Sequence, residues 1–164
     1  MTCRCSEFEP PKLSRGGIVD RIREGKLLKK TLHLVARDTQ EQDGLWKCPI
    51  CGQLWQSSCK GDYRKRECFF QVPPVELEEW RREPFADPAA LFNFVHAMRS
   101  FVEASRGAET ERACGSAGCA RHALSGCKFC LIHHMEMLRK AKLPFAPRGR
   151  LLEPYQAIIN ALIY

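Results

Sequence analysis

The sequence has no apolar run approaching the roughly eighteen residues that a helix needs to cross a bilayer. Its start, MTCRCSEFEPPK, carries no apolar core of the kind found in a secretory leader, so an intracellular, cytoplasmic protein without a membrane partner is expected. Glycine is not arranged to cradle phosphate: Gly16-Gly17 is too short for that loop. There is no internal repeat and no low-complexity tract, which excludes a solenoid or a long disordered chain. The pattern of a zinc deaminase is missing too. That site needs a His-x-Glu upstream of a Pro-Cys-x2-Cys, and the one His-x-Glu here, His134-Met135-Glu136, lies downstream of Cys48-Pro49-Ile50-Cys51.

Cysteine is what the chain does have. Ten occur in 164 residues, beside 45% hydrophobic and 27% charged residues. An even number raises a disulfide framework, but such frameworks belong mainly to short secreted chains. In a reducing compartment, clustered cysteines point to metal. The formal charge of +7, from 26 basic and 19 acidic residues, suits nucleic acid or an acidic protein partner without demanding either.

Periodicity predicts an α+β protein in two lobes, a small antiparallel sheet over 1–74 and a helical half over 75–164. A short helix is expected over 17–25, ended by Gly25. A strand follows at 31–38, then a turn at 40–44. LWKCPICGQLWQ, 45–56, reads as strand, tight knuckle, strand. A turn is expected at Lys60-Gly61-Asp62, and CFFQV, 68–72, is a further strand stopped by Pro73-Pro74. Residues 75–82 read as a turn or two of helix. Asp87-Pro88 is a cap followed by proline, so a helix is expected over 88–105, its apolar stripe built on Leu91, Val95, Met98 and Val102. Two more helices are expected, over 130–142 and from Pro154 onward, joined by a loop at 143–150. The last helix is apolar on most sides and is expected to pack.

CPICG, 48–52, holds two cysteines at C-x2-C on a tight turn, which sets both thiolates on one side of the loop. Gly52 permits the positive φ that lets backbone amides face the sulfurs. A closed zinc site takes four ligands, so a second pair must come from elsewhere. Cys3 and Cys5 are the favoured pair; Cys59 and Cys68, flanking the 60–66 turn, are the alternative. This half resembles a zinc ribbon, with C-x-C standing where that family has C-x2-C. The strand–turn–strand setting disfavours a redox dithiol, which needs a helix N-terminus.

Residues 114–134, CGSAGCARHALSGCKFCLIHH, carry the second cluster. Cys114 and Cys119 are spaced C-x4-C. Cys130 and His133 are spaced C-x2-H at a helix start, one turn and one face, where the helix N-terminus favours a thiolate. With Arg121, Ala123, Gly126 and Phe129, this stretch resembles short bacterial, phage and plant zinc modules of treble-clef-like form. The resemblance spans about twenty residues and implies zinc and, in some relatives, nucleic-acid binding. Cys127 departs from that pattern and remains an alternative ligand, as does His134. His33, His96 and His122 read as ordinary core or surface residues.

Two zinc ions are therefore expected, in closed sites that scaffold rather than catalyse. The expected function is non-enzymatic: a zinc-stabilised module acting by protein–protein contact, of adaptor or inhibitor type. The alternative is nucleic-acid binding through Arg139, Lys140, Lys142, Arg148 and Arg150, with Lys60, Arg64, Lys65 and Arg66 as a second basic cluster.

Overall fold

The structure, a computed structural model, describes residues 3–40, 42–60, 66–105, 109–140 and 149–163, without the side chains of 101, 102, 105, 109, 138–140 and 160–163. It contains helices and antiparallel sheets, so the chain is α+β. Contacts divide it into two units, Met1–Phe92 with Pro147–Pro154, and Asn93–Ala146 with Tyr155–Tyr164. The lobe boundary expected at 74/75 and this division are drawn at different places, the latter within a helix.

The first unit opens with a short 3-10 turn, Cys5–Glu7, and helix α1, Arg15–Leu28. Ser14 caps α1 by accepting from the Gly17 N–H at 3.1 Å. Gly25 does not end this helix, as expected from sequence, but lies buried inside it. A Cβ there would stand 3.0 Å from the Phe69 ring, so glycine is used for close helix–sheet approach. Four strands follow, β1 (His33–Asp38), β2 (Asp43–Lys47), β3 (Leu54–Ser58) and β4 (Cys68–Val72), in antiparallel order β1-β2-β3-β4. β1 is an edge strand with a bulge between Leu34 and Ala36, which breaks the expected alternation and leaves Leu34 and Val35 exposed.

Both faces of this sheet are covered, which is why β3 is buried along nearly its whole length instead of alternating. On one face Trp46, Trp55 and Phe69 pack with Leu28, Leu32, Cys5 and Cys48. On the other, Leu45, Phe70 and Val72 pack with Trp80 of α2 (Leu77–Arg82) and with Phe85. Gln56 fastens that second layer. Its amide donates to the Phe85 carbonyl at 2.8 Å, and its oxygen accepts from the Trp80 indole and the Phe85 N–H, each at 2.9 Å. Residues 149–152 return to the same layer, where Arg150 exchanges backbone hydrogen bonds with Pro84 and Ala86.

Helix α3, Pro88–Ser105, has the expected bounds, and Asp87 caps it by accepting from the Ala89 N–H at 2.8 Å. The second unit also holds a two-stranded ribbon that periodicity did not predict, β5 (Glu109–Ala113) with β6 (His122–Leu124). β6 is three residues long, and β5 is polar along its length, so neither carries an alternating apolar signal. α4 (Leu131–Lys140) and α5 (Glu153–Ile163) match the expected helices. Tyr155 and Ile159, one turn apart on α5, are buried as expected of a packed face. No described helix is long and apolar enough to cross a membrane. The turn expected at 60–62 and the loop expected at 143–150 fall largely outside the described residues.

Candidate metal centres

Two groups of four ligand atoms stand out, Cys3/Cys5/Cys48/Cys51 in the first unit and Cys114/Cys119/Cys130/His133 in the second, and within each group all the atoms lie within 4.8 Å of one another. All ten cysteines are free thiols.

The first group is assembled by the β2–β3 hairpin and the N-terminal segment. The knuckle between the strands closes with Cys48 N–H to the Gln53 carbonyl at 2.9 Å and Gly52 N–H to the Cys48 carbonyl at 3.0 Å, and Gly52 has φ +77°. The N-terminal segment comes back over this hairpin because several side chains hold it. Gln71 of β4 donates to the Cys5 carbonyl, and Arg21 of α1 donates to the Glu9 carbonyl. The Phe8 ring meets the Trp55 ring edge-on at 5.7 Å between centroids and lies under the Arg21 guanidinium at 5.5 Å. Cys3 Sγ then stands 3.7 Å from Cys48 Sγ and 3.2 Å from Cys51 Sγ. Cys5 and Cys48 are buried, Cys3 is half-buried and Cys51 is exposed.

The alternative pair belongs to neither group. Cys68 is 1% exposed and packs with Ile18, Ile22 and Ala89. Burial pushes its thiol well above the ordinary value, and burial raises the Cys59 thiol as well. Cys48 is the reverse case. Burial pushes its thiol up, but the backbone N–H groups of Cys51 and Ile50 and the Cys51 and Cys5 thiols outweigh that and lower it to about 7.

In the second group Cys114 leaves β5, Cys119 sits in the following loop, Cys130 precedes α4 and His133 lies in its first turn. Cys114 N–H donates to the Arg121 carbonyl at 2.9 Å, and Gly115 N–H to the Lys128 carbonyl at 2.9 Å. The Cys130 N–H donates to Cys114 Sγ at 3.2 Å. His133 turns Nδ1 to the sulfurs, 3.4 Å from Cys114 and 3.3 Å from Cys130, and Cys119 Sγ lies 3.8 Å from Cys130 Sγ. Burial raises the Cys114 thiol, but the Cys130 and Ser116 N–H groups with the His133 and Cys130 side chains prevail and lower it to about 6. Cys127 and His134 stand outside this group. The Cys127 N–H donates to the Leu124 carbonyl at 3.0 Å, and its own carbonyl accepts from Arg112.

These separations fit one ion per group. With metal–sulfur bonds of about 2.3 Å, tetrahedral corners stand about 3.8 Å apart, and slightly less between sulfur and nitrogen. A disulfide would need about 2.05 Å. Soft thiolates with at most one imidazole are a donor set for zinc, so two zinc-type sites are positioned in this chain.

Two of the basic residues are engaged within the fold. Lys60 pairs with the fully buried Asp43 at 2.8 Å. Arg150 pairs with Glu79 at 2.6 Å, donates to the Glu83 carbonyl at 3.2 Å and lies over the Phe85 ring at 4.4 Å. Arg64, Lys65, Lys142 and Arg148 lie outside the described residues, as do the side chains of Arg139 and Lys140. Sequence reasoning missed Gln56, Gln71, Arg21 and Trp55 altogether, since no local spacing distinguishes them from other polar or aromatic residues. No protein-family model, curated protein or solved structure matches the chain.

Proposed function

We propose that this chain is a non-enzymatic, zinc-stabilised binding module that acts by protein–protein contact. In the first unit the Cys48/Cys51 knuckle on an antiparallel hairpin supports a zinc-ribbon-like reading, with C-x-C in place of the usual first pair. In the second, a short ribbon followed by a helix that carries Cys130 and His133 at its start supports a treble-clef-like one. The observation that carries the proposal is that each group supplies four protein donors. Four donors fill zinc's tetrahedral shell and leave no position for a reacting water, which is the mark of a scaffold site. Protein binding is favoured by Leu27, Leu34 and Val35, which are 67%, 49% and 45% exposed at the end of α1 and on the edge strand β1.

The test combines metal content with binding. Protein purified under reducing conditions without added metal should carry two zinc ions per chain; a folded, zinc-free chain would overturn the reading. Changing Leu27, Leu34 and Val35 together to Glu should keep the zinc and abolish capture of the partner that the wild-type chain retains.

Nucleic-acid binding is the second reading, supported by the basic stretch 139–150. Because Arg150 is engaged with Glu79, the informative variant changes Lys140, Lys142 and Arg148 to Ala and leaves Arg150 in place. If this reading holds, oligonucleotide affinity falls in that variant, and wild-type affinity falls steeply with salt as condensed counterions are released. Failure of both duplex and single-stranded probes to bind at low salt excludes it.

A further inference from the structure

We propose that the Trp55 indole N–H donates a hydrogen bond to the Cys5 thiolate when the first site holds its metal, making Trp55 the residue that positions this ligand and slows metal loss. The inference rests on the metal reading of that site and adds to it a residue that binds no metal itself.

The observation behind it is a mismatch among three tryptophans. Trp46, Trp55 and Trp80 are all buried. The Trp46 indole donates to Ser57 Oγ at 2.9 Å, and the Trp80 indole donates to Gln56 Oε1 at 2.9 Å. Trp55 is 0% exposed, yet its Nε1 makes no hydrogen bond among the described residues. A buried N–H without an acceptor is costly and rare, so an acceptor is to be sought nearby. Trp55 packs in one cluster with Cys5 and Cys48, so the group it can serve is a ligand sulfur. Of the two ligand cysteines in that cluster, Cys5 is the one on which the Trp55 side chain acts directly.

Neighbouring contacts fix the ring for this task. Trp55 stands opposite Trp46 in the β2–β3 register, and Phe8 packs edge-on against it. Cys5 is held by the Gln71 amide, which donates to its carbonyl. A thiol accepts weakly and a metal-bound thiolate strongly, so the bond is made in full only once metal has displaced the proton. The same bond supplies Cys5 with a donor inside an apolar cluster that would otherwise oppose its charge.

The wild-type chain loaded with cadmium-113 provides the direct test. A hydrogen bond from N–H to a cadmium-bound sulfur transmits a scalar coupling between the metal and the proton. We expect that coupling on the Trp55 indole proton and on neither of the other two. Cadmium bound by Cys3, Cys5, Cys48 and Cys51 with no coupling at Trp55 overturns the proposal. Absence of cadmium from those cysteines overturns the metal reading instead, so the two failures are distinguishable. Trp55→Phe keeps the ring and removes the donor. It should release zinc from the first site to a chromophoric chelator at least about tenfold faster, with release from the second site unchanged. Trp46→Phe, which loses its bond to Ser57 on the same face, should leave both rates unchanged. Equal acceleration by the two variants, or none by Trp55→Phe, also overturns the proposal.

Discussion

At the centre of β3 the Gln56 amide joins three groups that make no other hydrogen bond among the described residues: the Trp80 indole, the Phe85 N–H and the Phe85 carbonyl. Gln56→Leu preserves volume but strands all three. At roughly 1–3 kcal/mol for a buried unsatisfied group, partly relieved by relaxation, the expected loss is about 3 kcal/mol. Trp46, Trp55 and Trp80 all belong to the first unit, so tryptophan emission in a urea titration reads that loss, while the zinc content should stay at two ions. The cysteines separate by the same comparison. Cys48→Ser removes a ligand, so zinc should fall from two ions to one and the tryptophan signal should lose its folded transition. Cys68→Ala removes only a core thiol. It should keep both ions and cost about 1 kcal/mol, in line with a small core truncation. A zinc count of one in Cys68→Ala would reinstate the alternative ligand pair.

At the scale of elements, α3 begins where its first residues say it must. The Asp87 carboxylate accepts from Ala89, and Pro88 needs no hydrogen-bond acceptor at the first helical position. Asp87→Ala should cost about 1 kcal/mol, measured as a shift in the urea midpoint. The strap at 149–152 is held differently. Gly149 has φ +101°, and a Cβ there would lie 2.3 Å from the Pro84 carbonyl oxygen. Gly149→Ala must therefore open the paired backbone at Pro84–Ala86, lowering the thermal midpoint of the first unit by several degrees. An unchanged midpoint would show that the strap contributes nothing to stability. The same packing holds Arg150, one of the basic residues of the nucleic-acid reading, against Glu79 and the Phe85 ring.

For the whole molecule, each unit has its own metal group, and in each unit that group adjoins a buried cluster. Metal binding and folding are then one equilibrium, because the gathered thiolates, four in the first group and three beside His133 in the second, repel one another without a cation. Chelator under reducing conditions should unfold the sheet of the first unit, and added zinc should restore its tryptophan emission. Acid should act in the chelator's direction, since each ligand thiol must give up its proton to bind. Cys114→Ser and Cys48→Ser should each remove one ion, and together both, as read by elemental analysis. Loss of both ions in either single variant would mean that the groups do not bind independently.

Local spacing was enough for whatever depends on a single turn of chain. The Cys48–Cys51 knuckle, Cys130 with His133 in the first turn of α4, and the start of α3 at Pro88 were all legible, because a few residues fix their own geometry. The choice between Cys3/Cys5 and Cys59/Cys68 was not decided at that level. Cys3 meets Cys48 across 45 positions, and it does so because Gln71, Arg21 and Phe8 hold the N-terminal segment against the sheet. Gly25 looked like a helix stop, and only the Phe69 ring lying over it makes it a packing contact. The β5–β6 ribbon carried no apolar alternation to read. What tertiary structure decided is where side chains distant in sequence share one buried space. There the desolvation of N–H groups and thiols selects their partners, and sequence spacing has no hold on that selection.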